Sequence, residues 1–154
     1  VWSISATGGA RLAPGLRITG GLTVNESHID EPQVLAASNV SHVPNIARVS
    51  GRAGIDYSRP VGRNLDLDAR LWASYIGKSR LGMGPELGDL QGDYLDSGAT
   101  VRVGNPRIGA TLSITNLADT VGNRFALGTP FAVVREQVTP LRPRSVRLGV
   151  DFSF

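Results

Sequence analysis

The sequence predicts an all-β protein built as an antiparallel up-and-down meander of about seven strands. The first observation is that apolar and polar residues alternate with a period of two along most of the 154 residues, as they do in strands whose two faces meet different surroundings. The second is that compact turns rich in Pro, Gly and Asn alternate with much longer connections. The third is that no apolar run approaches the ~18 residues of a membrane-spanning helix.

The N-terminal half holds four predicted strands, each with apolar or small residues at every second position. In chain order, their apolar sets are Trp2, Ile4, Ala6 and Leu12; Leu16, Ile18, Leu22 and Val24; Val49, Gly51, Ala53, Ile55 and Tyr57; and Leu65, Leu67, Ala69, Leu71, Ala73 and Tyr75. The intervening positions hold Ser, Thr, Gly, Asn, Arg or Asp, and Trp72 is the one large aromatic among them. We expect Trp72 to pack against another domain or to cover an arginine by a cation–π contact.

The C-terminal half holds the remaining three predicted strands. Their apolar or small sets are Leu95, Ser97, Ala99, Val101 and Val103; Ile108, Ala110, Leu112 and Ile114; and Val146, Leu148, Val150, Phe152 and Phe154. The alternation is cleanest in the last strand, where one face is wholly apolar and the other is polar, charged or glycine. No segment has the period of a helix longer than one turn.

The connections alternate between short and long. Short turns are predicted at residues 13–15, 60–64 and 104–106, and long connections at 27–45, 77–92 and 117–144. Strands of roughly 9–11 residues, joined by short turns on one side and long loops on the other, are typical of a transmembrane β-barrel. The aromatic residues near strand ends fit the interfacial girdles of such a barrel.

The polar face would then line the barrel interior. The residues predicted to face that lumen are Arg48, Arg52, Asp66, Asp68, Arg70, Arg102 and Arg147. A soluble β-barrel or β-sandwich reverses the assignment, with the apolar face inside. We expect that alternative to pack poorly, because the apolar face holds many Ala and Gly and few large side chains.

Strand parity predicts that these residues are part of a larger barrel. Single-chain bacterial barrels have an even number of strands, of which the smallest have eight. The last predicted strand follows a long connection and therefore ends on the short-turn side. The first of seven alternating strands must then begin on the opposite, long-loop side. We therefore expect residues 1–154 to be a C-terminal fragment that contains the last strands of the barrel.

Composition excludes several other classes. Without cysteine there is no disulfide framework, thiolate metal site or thiol catalysis. The net charge of +3 comes from scattered arginines, so no nucleic-acid interface is predicted. No catalytic constellation and no cofactor site is recognised, so we do not expect an enzyme. His28 and His42 at the ends of the first long connection, and Asp89, Asp93 and Asp96 in and after the second, are interpreted as surface residues rather than metal ligands.

The last forty-five residues carry more specific motifs. Ile114 is followed, after one threonine, by Asn116, Leu117, Ala118 and Asp119, and Phe125 comes six residues later. Pro143-Arg144 leads into the strand that ends on Phe154. This arrangement resembles the C-terminal end of TonB-dependent outer-membrane receptors, although Ala118 stands where Thr or Ser is commoner. The resemblance implies that Asn116, Leu117 and Asp119 are motif residues with a structural role. It also implies that Val146, Leu148, Val150, Phe152 and Phe154 form the signal read by the barrel assembly machinery.

The same resemblance implies an architecture and a function. The seven strands would be the last seven of a 22-stranded barrel in the outer membrane of a Gram-negative cell. A plug domain, absent from this sequence, would fill the barrel and contact the TonB complex. The expected function is active uptake of a scarce nutrient such as a ferric siderophore, vitamin B12 or a glycan; the substrate is not predicted. A porin, adhesin or autotransporter barrel remains an alternative, as does a soluble β-barrel or β-sandwich that acts as a binding module.

Overall fold

The computed structural model describes residues 1–28, 42–80, 90–129 and 132–154, and their side chains outside 125–138. Within these residues every regular element is a β-strand. The strands are β1 (Trp2–Ala13), β2 (Leu16–Glu26), β3 (Val49–Val61), β4 (Leu65–Ile76), β5 (Ser79–Arg80), β6 (Leu90–Gln91), β7 (Tyr94–Gly104), β8 (Ile108–Thr115), β9 (Asn123–Thr129), β10 (Ala132–Pro140) and β11 (Ser145–Phe152).

One antiparallel sheet of seven strands forms the main body, in the order β1-β2-β3-β4-β7-β8-β11. Consecutive long strands are always neighbours, which confirms the all-β class and the seven-stranded meander. Among the described residues, β1 and β11 are the two edges and the sheet does not close.

Within the described residues, the second and third long connections contain strands that the sequence analysis did not predict. β5 pairs with β6, and β9 pairs with β10, each as a separate antiparallel hairpin. The first hairpin has only two residues per strand, too few for a period of two to be recognised. The second is irregular, with register shifts and a proline at the end of β10, and these features obscure its alternation.

The turns opposite the long connections are fixed by glycine and asparagine. Gly15 has a φ of 78°, and a Cβ there would collide with the carbonyl oxygen of Ser58, so this turn requires glycine. Asn105 closes the turn before β8, because its Oδ1 accepts hydrogen bonds from the backbone N–H groups of Arg107 (2.8 Å) and Ile108 (2.9 Å).

The described residues bury very little apolar material. The buried hydrophobic side chains among them are Tyr94, 9% exposed, and Leu141, 8% exposed. Both lie near Gly122, whose carbonyl accepts the Leu141 N–H at 2.9 Å and whose backbone lies against the Tyr94 ring. This small cluster lies at the base of the third long connection.

Candidate functional surfaces

The register of the sheet assigns its strand residues to two chemically distinct faces. Side chains of directly opposed residues in an antiparallel pair lie on the same face. Arg17 is opposite Asp56, Asp56 is opposite Arg70, and Arg70 is opposite Thr100. On the other face Ile55 is opposite Leu71. One face is therefore polar across the whole sheet and the other is apolar, which we call the polar face and the apolar face.

The polar face holds six of the seven residues that the sequence analysis assigned to a lumen. They are Arg52, Asp66, Asp68, Arg70, Arg102 and Arg147. The seventh, Arg48, lies just before β3, where its carbonyl accepts a hydrogen bond from the Asn25 N–H at 2.8 Å. That this face borders a lumen stays a prediction.

The apolar face is exposed. In β11, Val146 is 67% exposed, Leu148 75%, Val150 58% and Phe152 65%. Other strands add exposed residues to the same face, among them Trp2, Ile4, Leu22, Ile55, Leu71, Val101 and Leu112. Phe154 lies two residues beyond the end of β11 and is also exposed. Soluble monomers rarely leave so continuous an apolar surface uncovered.

Open grooves run over the polar face of the described residues. One of about 780 Å³ extends from β1 to β7 and is lined by Arg17, Arg52, Arg70 and Trp72, with Gly9 and Gly54 among its small residues. A groove of about 510 Å³ adjoins it. Its charged lining residues are Arg11, Arg17, Asp56, Asp68, Arg70 and Arg102. A third, about 350 Å³, is lined mainly by Ser, Thr and Gly. The face is therefore a grooved, charged surface rather than a flat one.

One ion pair on the polar face reaches across a whole strand. Arg102 of β7 reaches over β8 to Asp151 of β11, with Nη2 2.6 Å from Oδ2 and Nε 3.1 Å from Oδ1. Gly109 of β8 lies between them, and a Cβ at that position would collide with the Arg102 guanidinium. A second pair, Arg70 with Asp56, joins directly opposed residues at 3.0 Å.

Trp72 lies flat against the sheet. A Cβ at Gly98, directly opposite it on β7, would come within 2.7–2.8 Å of the indole ring. The ring therefore occupies the space that a side chain at Gly98 would need. The predicted cation–π contact between Trp72 and an arginine does not form within the described residues.

Asn116 forms the corner where β8 leaves the sheet. It is 3% exposed and has a φ of 49°, a left-handed conformation that asparagine tolerates better than most residues. Its Oδ1 accepts from the Thr120 N–H at 2.9 Å, and its Nδ2 donates to the carbonyls of Thr120 and Arg142, both at 3.0 Å. One side chain thereby connects the start of the third long connection to its end.

The neighbours of Asn116 in the motif fasten the same corner. Leu117 is exposed, but its N–H donates to the carbonyl of Ser97 at 2.9 Å. Asp119 also has a positive φ, of 54°, and lies 3.6 Å from the guanidinium of Arg144. Arg144 directly precedes β11, so the two segments singled out by sequence are in contact here.

The bases of the long connections are held together by polar contacts. Buried Gln91 donates from Nε2 to Asn45 Oδ1 at 2.6 Å and to Ser79 Oγ at 3.1 Å. This joins the end of the first connection to both strands of the second. The N–H of Gly92 donates to the carbonyl of Asn123 at 2.9 Å. This bond joins the third connection to the second.

Asp93 is held between two donors at the same end of the sheet. The Tyr75 hydroxyl donates to its Oδ1 at 2.9 Å, and Lys78 Nζ is 3.2 Å from its Oδ2. The hydrogen bond from Tyr75, followed by that from Lys78, lowers the pKa of the Asp93 carboxyl below its usual value.

The remaining sequence candidates for metal binding do not converge. Among the described residues, no three His, Asp or Glu side chains come together as a metal-binding group. Asp93 faces Tyr75 instead, and Asp89 lies outside the described residues. His28 and His42, however, are opposite each other at the base of the first connection. Among the residues that the structure describes, no helix has the length and apolar character needed to cross a membrane.

Comparison with known proteins yields no relative. No family model, no curated protein and no solved structure matches this chain.

Proposed function

We propose that this chain forms part of the wall of a transmembrane β-barrel, and that the barrel is a TonB-dependent outer-membrane receptor for a scarce nutrient. The single observation that carries the proposal is the exposed apolar face of the seven-stranded sheet. A lipid bilayer would stabilise this exposed face of Val, Leu, Ile and Phe, because it removes these side chains from water.

The polar face supports the same orientation. Arg102 with Asp151 and Arg70 with Asp56 pair charges on the side opposite the apolar residues. Such charges are costly toward lipid but stable beside water or a polar domain. In the proposed barrel, the grooves lined by Arg17, Arg52 and Trp72 face the interior, where a plug domain would lie.

The sheet edges support a larger assembly. β1 and β11 each have one strand neighbour within the described residues. In a membrane the unpaired N–H and C=O groups of an edge strand must find partners, and barrel closure provides them. Further strands of the same barrel would pair with these edges.

The assignment to TonB-dependent receptors rests on the C-terminal motif. Asn116, Leu117 and Asp119 organise a corner that contacts the segment leading into β11. Their structural role agrees with the role that the resemblance implies. The likeness to that family is otherwise one of architecture.

The test is uptake from the whole gene in cells with and without TonB. A strain lacking the chromosomal copy is grown with limiting ferric siderophore, limiting vitamin B12 or a polysaccharide as carbon source, and is complemented by the gene. We expect one condition to require both the gene and TonB, and we expect the protein in the outer-membrane fraction. Outer-membrane location with growth or secretion independent of TonB would contradict receptor function and favour a porin or an autotransporter. Recovery in the soluble fraction without detergent would contradict the barrel as well.

A further inference from the structure

The two histidines of this sequence face each other across one antiparallel bridge. His28 follows β2 by two residues, and His42 lies beyond the first long connection. The Val43 N–H donates to the carbonyl of Ser27 at 2.9 Å. Because this bond flanks the bridge rather than joining its two residues, His28 and His42 form a non-hydrogen-bonded pair. In such pairs the opposed Cα atoms are closest, about 4.5 Å apart, and the side chains lie on one face.

The two imidazole rings are near enough to each other for both to reach one metal ion. Their centroids are 6.2 Å apart and their planes meet at 86°. A Zn²⁺ ion bound to two imidazole nitrogens at 2.0–2.1 Å with a tetrahedral angle holds the ring centroids about 5 Å apart. A change of about 1 Å, within the reach of side-chain rotation, separates the observed pair from that arrangement.

The backbone around the pair is fixed before any metal binds. Asn25 donates from its backbone N–H to the carbonyl of Arg48 and from Nδ2 to the carbonyl of Ala47, both at 2.8 Å. Buried Ser27 and the Val43 bond continue the pairing up to the histidines. The two ligands therefore start from a positioned pair, which lowers the entropic cost of bringing them together.

We propose that His28 and His42 together bind one late first-row divalent cation, Zn²⁺ or Cu²⁺, at the base of the first long connection. Imidazole nitrogen suits both ions. Among the described residues no third His, Asp or Glu joins the pair, and a Zn²⁺ ion bound by two imidazoles keeps positions for further ligands. The bound ion would join the two ends of the first connection. This site does not depend on the transport function proposed above, and either can fail without the other.

The test uses the whole protein, purified in detergent without a polyhistidine tag, and Zn²⁺ itself as the probe. Calorimetric titration compares the natural protein with His28→Phe, His42→Phe and His42→Cys. The phenylalanine variants keep an edge-to-face ring pair but lose a ligand. The cysteine variant loses the ring but supplies a thiolate that Zn²⁺ accepts. All four proteins are first compared by heat-modifiable gel mobility, so that binding is measured on folded protein.

We expect the natural protein to bind one Zn²⁺ more than either phenylalanine variant, or to bind it more than about tenfold more tightly, since even indirect perturbation of metal ligands costs this much. His42→Cys should bind the Zn²⁺ ion that His42→Phe does not bind. With Cu²⁺, the electron paramagnetic resonance spectrum of the natural protein should show two coordinating nitrogens that His42→Phe lacks. Unchanged Zn²⁺ stoichiometry and affinity in both phenylalanine variants would overturn the proposal and leave the pair as an aromatic contact.

Discussion

The guanidinium of Arg102 and the carboxylate of Asp151 meet at 2.6 Å although a complete strand, β8, lies between their own strands. The side chain of Arg102 crosses β8 at Gly109, where there is no Cβ. The pair therefore connects the last strand to its second neighbour on the polar face. Arg102 also donates from Nη2 to the carbonyl of Asn105 at 3.2 Å, which fixes the guanidinium above the turn.

Gly109→Ala should separate Arg102 from Asp151, because the new Cβ takes the space of the guanidinium. In that background, Asp151→Asn should have no further effect on the urea midpoint of unfolding. In the natural protein, Asp151→Asn should lower that midpoint. Gly149→Ala is the matched control, since a Cβ there meets nothing within 4 Å. Equal effects of Asp151→Asn in the Gly109→Ala and Gly149→Ala backgrounds would show that Gly109 does not make room for the pair.

Gly98→Ala should displace the ring of Trp72 and cost about 1–3 kcal/mol of unfolding free energy, as overpacking does. The measurement is denaturant unfolding followed by tryptophan fluorescence. Combining Gly98→Ala with Trp72→Ala should remove most of the added cost, since the clash disappears with the ring. Gly8→Ala, where a Cβ meets nothing within 4 Å, should change stability little. Additive costs in the double variant would contradict the packing of Trp72 on Gly98.

Substitutions at Asn116 should separate its backbone role from its hydrogen bonds. Asn116→Ala loses all three side-chain bonds and strains a residue at φ 49°, so we expect about 2–3 kcal/mol of lost stability. Asn116→Gly relieves the strain but not the lost bonds, and should lie between alanine and the natural residue. Asn116→Asp keeps the acceptor for Thr120 but loses the donor to Arg142. An alanine variant as stable as the natural protein would contradict the assigned corner.

The contribution of Asp93 to stability should depend on pH in a defined direction. Tyr75 and Lys78 lower the pKa of the folded carboxyl, so the stabilisation is present above the unfolded pKa and is lost as pH falls through the lower, folded value. Asn suits the positive φ of 56° at this position. The urea midpoints of the natural protein and Asp93→Asn should therefore differ at neutral pH and converge in strong acid. A constant difference across that range would contradict the stabilisation of the Asp93 carboxylate by Tyr75 and Lys78.

The alternation of residues was sufficient to predict the main sheet and its two faces. In β11, Val146 and Leu148 are opposite Ile114 and Leu112, as a period of two requires. The hairpin of β9 and β10 escaped prediction because its register is irregular, so that no clear period marks it.

The contacts that organise the surfaces were less predictable. The motif identified Asn116, but its partner Arg142 lies 26 residues away, and no local pattern connects them. Gly109 resembles any small residue on the polar face until the register places it under Arg102. Likewise, the separation of His28 and His42 in the sequence gives no indication that they are opposed. Long-range pairing, rather than local propensity, determines each of these contacts.

The most direct test of the account is a spin-label scan along β11 in outer membranes that contain the protein from its whole gene. These 154 residues contain no cysteine, so single cysteines at positions 146–152 can each carry one nitroxide once any cysteine elsewhere is replaced by serine. Collision rates with oxygen, which concentrates in lipid, are compared with those of a water-soluble nickel chelate. We predict that labels at Val146, Leu148, Val150 and Phe152 favour oxygen, and that labels at Arg147, Gly149 and Asp151 favour the nickel chelate. The reverse alternation, or equal access of the chelate to both sets, would contradict a lipid-facing apolar surface.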